Sequence, residues 1–240
     1  MTSRITETWV YLARSPLLWL ALTVSVYVAG EALYRRLGRH PLVHPVLTSV
    51  TVLAAVLILS GTPYSAYFEG AQFVHFLLGP AIVALAVPLH RELHREQAMA
   101  IPLTAALLAG SVTAVVTAVT TARLGGASRE TLLSLAPKSA TAPVAMGIAE
   151  RLGGLPSLTA SLVVLTGVLG AVIGPVLLRR LRISDPAATG FALGVASHGL
   201  GTARAFEISE TAGAFGGLGM GLNALATSLL VPALIRLLLP

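Results

Sequence analysis

Eight apolar stretches follow one another along this chain, at roughly 16–34, 42–60, 72–89, 98–121, 130–149, 157–178, 187–206 and 210–238. A helix needs about 20 mostly apolar residues to cross a bilayer, and most of these runs approach or reach that length. A segment in lipid must satisfy its own backbone hydrogen bonds, and the runs are too long for the ~9–11-residue strands of a membrane barrel. The chain is therefore expected to be an all-α integral membrane protein with about seven to eight hydrophobic segments. The separators are Arg/His clusters or Gly/Pro/Ser stretches, and no gap holds a soluble domain. One polytopic domain over 1–240 is the expectation, with peripheral spans at 1–65 and a core at 70–240. Composition agrees: 11% of residues are charged, against about 25% in a soluble domain, which leaves too few to cover a wet surface.

The charge is +6, but its placement argues against nucleic acid. Arg35, Arg36 and Arg39 sit in one gap between apolar runs, Arg91 and Arg95 in another, and Arg179, Arg180 and Arg182 in a third. Such clusters belong to cytoplasmic loops, and no basic stripe with interleaved aromatics exists. The absence of cysteine excludes disulfides, cysteine metal sites and thiol catalysis. The first apolar run leads into Glu31 and an arginine cluster with no small-x-small cleavage pattern, so it reads as a first span.

With Arg35 to Arg39 inside, the loop at Glu69 falls outside and His90 to Glu96 fall inside. If every later segment crossed, Arg179 to Arg182 would land outside and break the positive-inside rule. One segment must then fail to cross. The candidate is 130–149, which carries Pro137 and Pro143 with Lys138 between them. A broken or re-entrant segment is tolerated where it lines a protein cavity. A second break is expected within 187–222. The interruption at 137–143 has an echo at 197–204, and Gly79-Pro80 has one at Gly174-Pro175. An internal duplication with paired interruptions is one reading, and the frequency of Gly-Pro in membrane helices is the other.

Three constellations carry chemistry. In 137–143, Lys138 is the chain's one lysine, and Pro137 and Pro143 remove backbone donors around it. Ser139 and Thr141 can satisfy the freed groups or bind a solute. A cation there needs water or an anion, unless it snorkels to an interface. In 197–207, Gly199 and Gly201 permit close approach. His198, Thr202, Arg204 and Glu207 add polar and ionisable groups. Arg204 can fork onto a carboxylate with Glu207 steadying it, or the two can form a plain i,i+3 pair. In 213–223, Gly217 and Gly221 suggest a small-xxx-small packing face, and the amide of Asn223 can face a solute. His90, Glu92 and His94 do not have the zinc-protease order and read as a solvated loop. No nucleotide cradle or nucleophile motif appears, so no catalytic residue, cofactor or metal site is expected.

The blocks PKSATAPVAMGIAERLGGLPSLTA (137–160) and ASHGLGTARAFEISETAGAFGGLGMGLNAL (196–225), with GAVIGP (170–175), resemble the signature blocks of the LrgB/CidB family of bacterial membrane proteins. The first two spans match only in length and position. The resemblance implies a multi-pass protein of the bacterial cytoplasmic membrane. It implies either modulation of murein hydrolase activity and autolysis, or movement of small monocarboxylates, as in the plastid glycolate/glycerate translocator. It also implies a small holin-like partner of the LrgA/CidA type. The holin-like half that the plastid protein carries is not among these residues, so a separate subunit is expected. A homo-oligomer is expected as well. On this reading Lys138, Ser139, Thr141, His198, Gly199, Gly201, Thr202, Arg204 and Asn223 bind a small carboxylate anion, supported by Pro137, Pro143 and Glu207. Lys138 and Arg204 are expected to share one cavity.

Overall fold

The computed structural model describes residues 15–39, 43–77, 80, 83–84 and 99–239. The expectations for Arg91, Arg95, the His90–Glu96 loop and Gly79 lie outside them. The chain divides into two compact units, Met1–Ala84 and Leu85–Pro240.

In the first unit, α1 (Pro16–Arg36), α2 (Pro45–Ser60) and α3 (Tyr64–Phe76) pack through α1. Proline starts α1 and α2, where its missing N–H costs nothing. Gly61, at φ +63°, ends α2. Trp19 is fully buried and meets Tyr67 of α3 edge-on, at 5.9 Å between ring centroids.

The second unit holds α4 (Ala100–Leu124), α5 (Arg129–Leu135), α6 (Ala142–Leu152), α7 (Pro156–Arg180), α8 (Pro186–Phe206) and α9 (Glu210–Leu238). Two ends of this bundle can be distinguished. At one, Arg123 bonds the carbonyl of Leu238, and Arg129 donates to Leu239 O at 3.3 Å. At the other, Arg179, Ser184, Thr189, Arg204 and Ile208 line one cavity, which brings together the end of α7, the base of α8 and the approach to α9.

Helices α5 and α6 are too short to cross. Ser128 caps α5 by accepting from Thr131 N, and α6 ends on left-handed Gly153. Between them 137–141 form a turn, with Lys138 N donating to Leu135 O at 3.1 Å and Ala140 N to Pro137 O at 3.0 Å. The chain then returns: Leu155 N donates to Ser134 Oγ at 2.7 Å, and Thr159 Oγ1 to Ser134 O at 3.0 Å. This is the expected re-entrant segment, entering from the Arg123 end.

Helix α8 also doubles back. Ser197 (φ −136°, ψ 17°) and His198 (φ 44°, ψ −132°) are non-helical. In an unbroken helix Leu193 and Gly201 would be about 12 Å apart along the axis. Instead, a Cβ on Gly201 would lie 2.1 Å from Leu193 O, and Leu193 packs with Ala205. The arms 186–196 and 199–206 thus form a second hairpin, entering from the Arg179 end, capped by Asp185 Oδ1 accepting from Ala188 N at 2.9 Å. A span followed by a hairpin (α4 with α5–α6) is repeated in the opposite sense (α7 with α8). That is the inverted arrangement of many transporters, and it gives the echo of 137–143 in 197–204 a structural meaning.

Among the described residues, four helices are long and apolar enough to cross a membrane: α1, α4, α7 and α9. The chain is an all-helical membrane protein. Of the seven to eight apolar segments, those at 130–149 and 187–206 spend their length on hairpins, that at 42–60 forms the shorter α2, and much of that at 72–89 lies outside the described residues. Glycine makes this packing possible. A Cβ on Gly170 would strike Ser197 Oγ at 1.6 Å, and one on Gly190 would strike Ala212 O at 1.9 Å. The close α8–α9 approach falls on Gly216 and Gly219, whereas Gly221 has open space beside it. That corrects the expectation of a Gly217/Gly221 packing face.

Candidate functional site

The two hairpin tips converge on Val163 of α7. Its side chain packs with Ala140 beside the first tip, and its carbonyl accepts from His198 Nε2 of the second at 2.9 Å. His198 pays for this with a left-handed φ that costs a non-glycine residue about 1–3 kcal/mol. Thr202 Oγ1 closes the tip by donating to His198 O at 3.0 Å.

Asn223 lies near the middle of α9, about 20 Å from either end at 1.5 Å per residue. It is buried, and its Nδ2 donates to Ser139 O at 2.9 Å. Its Oδ1 accepts from Ser111 Oγ of α4 at 2.7 Å and from Thr227 Oγ1 at 3.3 Å. The first turn is therefore held at mid-depth by a side chain rather than by a regular backbone ladder.

Lys138 stands on that turn, half-buried. Among the described residues its ammonium has no ion pair or side-chain hydrogen bond. With Ser139 it lines a cavity of about 440 Å³, otherwise walled by Leu103 and Gly110 of α4 and Phe191 and Val195 of α8. Met99 and Ala188, at the starts of α4 and α8, line it too, so it extends from the Arg179 end down to Lys138. Toward the Arg123 end, Val115, Val119, Leu132, Ile148, Val231 and Ile235 form an apolar plug.

The other expected ligands are placed differently. Arg204 pairs with Glu207 and lines a separate cavity of about 290 Å³ beside Arg179. The hairpin carries it back toward the bundle end, so the expected common cavity with Lys138 is not built. The amide of Asn223 is engaged with Ser139, and Thr202 with its own tip. Gly199 lies against Met220 Sδ and Gly201 separates the hairpin arms. Thr141 precedes α6 as its N-cap, half-buried, and Pro143 sits in the first turn of α6. Pro137 is fully buried in the tip. Among the described residues no cluster of acidic or histidine side chains could hold a metal. The residues that sequence reasoning missed are Ser111, Thr227 and Val163. Ser111 carries a signal, since it is the polar member of the buried row Leu103, Leu107, Ser111, Val115 and Val119 at helical spacing.

The LrgB-like family model matches residues 23–237. The chain is similar to the uncharacterized protein YxaC of Bacillus subtilis, 37% identical over 218 residues, covering 91% of this chain and 94% of the relative. It is also similar to the holin-like protein CidB of Staphylococcus epidermidis, 32% identical over 220 residues, covering 92% and 96%. The holin-like protein CidB of Staphylococcus aureus is 32% identical over 221 residues, with the same coverage of 92% and 96%. No solved structure matches.

Proposed function

Because this chain belongs to the LrgB-like family, we propose that it carries small monocarboxylate anions, such as glycolate, glycerate or pyruvate, across the bacterial cytoplasmic membrane. One observation supports this reading above the rest: a lysine with no ion pair among the described residues stands where two opposed hairpins meet, at the foot of a mostly apolar cavity. A charge at the bilayer centre costs from ~2.5 kcal/mol upward, which a bound anion offsets. The cavity's volume of about 440 Å³ falls in the usual range for small ligands, about 300–1,000 Å³. Among the described residues Lys138 is the charged one in its lining, which suits a monoanion with a short carbon chain better than a dianion or a zwitterion.

A carrier must expose such a site to each side in turn. Here the cavity extends to the Arg179 end and the apolar plug closes the Arg123 end. Each end has its own hairpin, so movement of either could open one path without the other. We place the Arg179 end, where Arg179, Arg180 and Arg182 cluster, on the cytoplasmic side. No step requires covalent chemistry, so the protein is not assigned as an enzyme.

A second reading is favoured by the relatives' names more than the first is. Two of the relatives above are named holin-like proteins. On that reading the chain modulates murein hydrolase activity through an assembly with a LrgA/CidA-like membrane subunit or with further copies of itself. Uptake of labelled glycolate, glycerate and pyruvate into proteoliposomes separates the two. Saturable uptake that is lost in Lys138→Met supports the carrier. Its absence, with or without a co-reconstituted LrgA/CidA-like subunit, overturns the carrier and leaves the regulator.

A further inference from the structure

We infer that Asn223 and Ser111 are positioning residues for Lys138: they form a buried clamp that aims the lysine-bearing turn into the cavity. The inference draws on the carrier reading only for what Lys138 binds, since the clamp itself is a matter of geometry. Among the described residues Lys138 has no partner on its ammonium, so no described side chain holds its end in place. Its aim is set by the backbone of 137–141, and two prolines deprive that backbone of a helical ladder. The next carbonyl along, Ser139 O, is where the turn is fastened.

Asn223 is suited to this task because it both donates and accepts. Its Nδ2 holds Ser139 O at 2.9 Å. Its orientation is fixed from behind, because Oδ1 accepts from Ser111 Oγ at 2.7 Å and from Thr227 Oγ1 at 3.3 Å. All of these residues are buried, so water does not compete. The network joins α4, the first hairpin tip and α9, and α4 is also one wall of the cavity. Lys138 is thus registered against the wall facing it. Movement of the first hairpin toward another state must stretch or exchange the Asn223–Ser139 bond.

Lys138 is the chain's one lysine, so a water-soluble amine-acylating reagent reports on it through a single peptide in mass spectrometry. The full chain in liposomes is labelled as wild type, Asn223→Leu, Asn223→Asp, Ser111→Ala and, as control, Thr120→Val, whose hydroxyl bonds carbonyls of its own helix. Loss of the clamp should slow Lys138 labelling about fivefold or more in Asn223→Leu and about twofold in Ser111→Ala. Adding Ser111→Ala to Asn223→Leu should cause no further loss, because the two act through one network. Thr120→Val should match wild type. Where glycolate protects Lys138, the half-protecting concentration should rise in step. If Asn223→Leu does not yield folded protein, Asn223→Asp keeps the size and replaces the amide donor, and it should slow labelling as well. Folded Asn223 variants that label at the wild-type rate overturn the clamp. Lack of glycolate protection in wild type, with labelling still dependent on Asn223, overturns the carrier reading and leaves the clamp standing.

Discussion

Gly194 tests the second hairpin most directly. A Cβ there would lie 2.0 Å from Gly216 O, 2.8 Å from Gly216 C and 2.9 Å from Met220 N. All three are backbone atoms of α9, so no side chain can swing aside. Restoring ordinary contact requires the arm 186–196 to retreat from α9 by about 1.4 Å, against interior packing that resists such shifts. Overpacking of this kind costs about 1–3 kcal/mol, and rigid backbone on both sides puts it near the upper figure. Alanine recovers about 1 kcal/mol of helix propensity over glycine. The net loss for Gly194→Ala is then about 2 kcal/mol, close to thirtyfold in the folding equilibrium. For a chain of this size that lowers the melting temperature by about 4–8 °C. Gly221→Ala is the matched control, because its Cβ meets open space, and it should melt with the wild type or slightly above it. The assay is thermal melting in mild detergent, followed by size-exclusion recovery. Gly194→Ala melting at or above the wild type would mean that the arm does not lie against α9 as described.

Other outcomes follow from the same geometry. Lys138→Met should lower carboxylate uptake at least about tenfold while leaving membrane insertion intact and the melting temperature no lower than the wild type's, because it removes an uncompensated charge, as counter-flow and melting assays will register. Arg204→Ala should change the KM for uptake less than about threefold, because Arg204 lines a cavity apart from Lys138; an equal loss in both variants would place Arg204 in the site after all. His198→Ala loses the bond to Val163 O, a mid-helix carbonyl that keeps its own helical partner, so the cost is that of one hydrogen bond, about 0.5–1.5 kcal/mol. His198→Gly loses the same bond but relieves the φ of 44°, so it should melt above His198→Ala; the reverse order would count against strain at the tip. The chain has no native cysteine, so single cysteines at Arg151, Arg180 and Ser209 can be labelled from either side of sealed vesicles. Arg180→Cys and Ser209→Cys should react from one side and Arg151→Cys from the other, and any other pattern removes at least one of the hairpins.

Much of this architecture is legible in the chain because its causes are local. Apolar runs without charges dictate helices in lipid, whatever their neighbours. Pro137 and Pro143 break a helix by removing donors, and the charge parity around Arg179 to Arg182 requires a segment that does not cross. The re-entrant α5–α6 follows from those residues alone. Lys138 as a lone lysine within an apolar stretch is legible too, since the cost of its charge depends on its surroundings being apolar along the sequence.

Only the tertiary structure decides where these pieces meet. Nothing near His198 forbids a helix as proline does, and the reversal there depends on Gly167, Gly170 and Gly174 of α7 admitting the tip and the first arm. That reversal returns Arg204 to the bundle end beside Arg179, and so separates it from Lys138, the cation of the other motif with which it was expected to share a cavity. Asn223 reaches Ser111 across 112 positions and Ser139 across 84. No periodicity links residues at such distances, because the links exist only once α4, the first hairpin and α9 have packed. The sequence by itself determined that this is a helical membrane protein with two interrupted segments and a lone lysine in one of them. The fold decided that the interruptions are opposed hairpins, that the lysine faces a cavity without Arg204, and that an asparagine on a different helix holds its turn, because contacts distant in sequence arise from packing and not from local propensity.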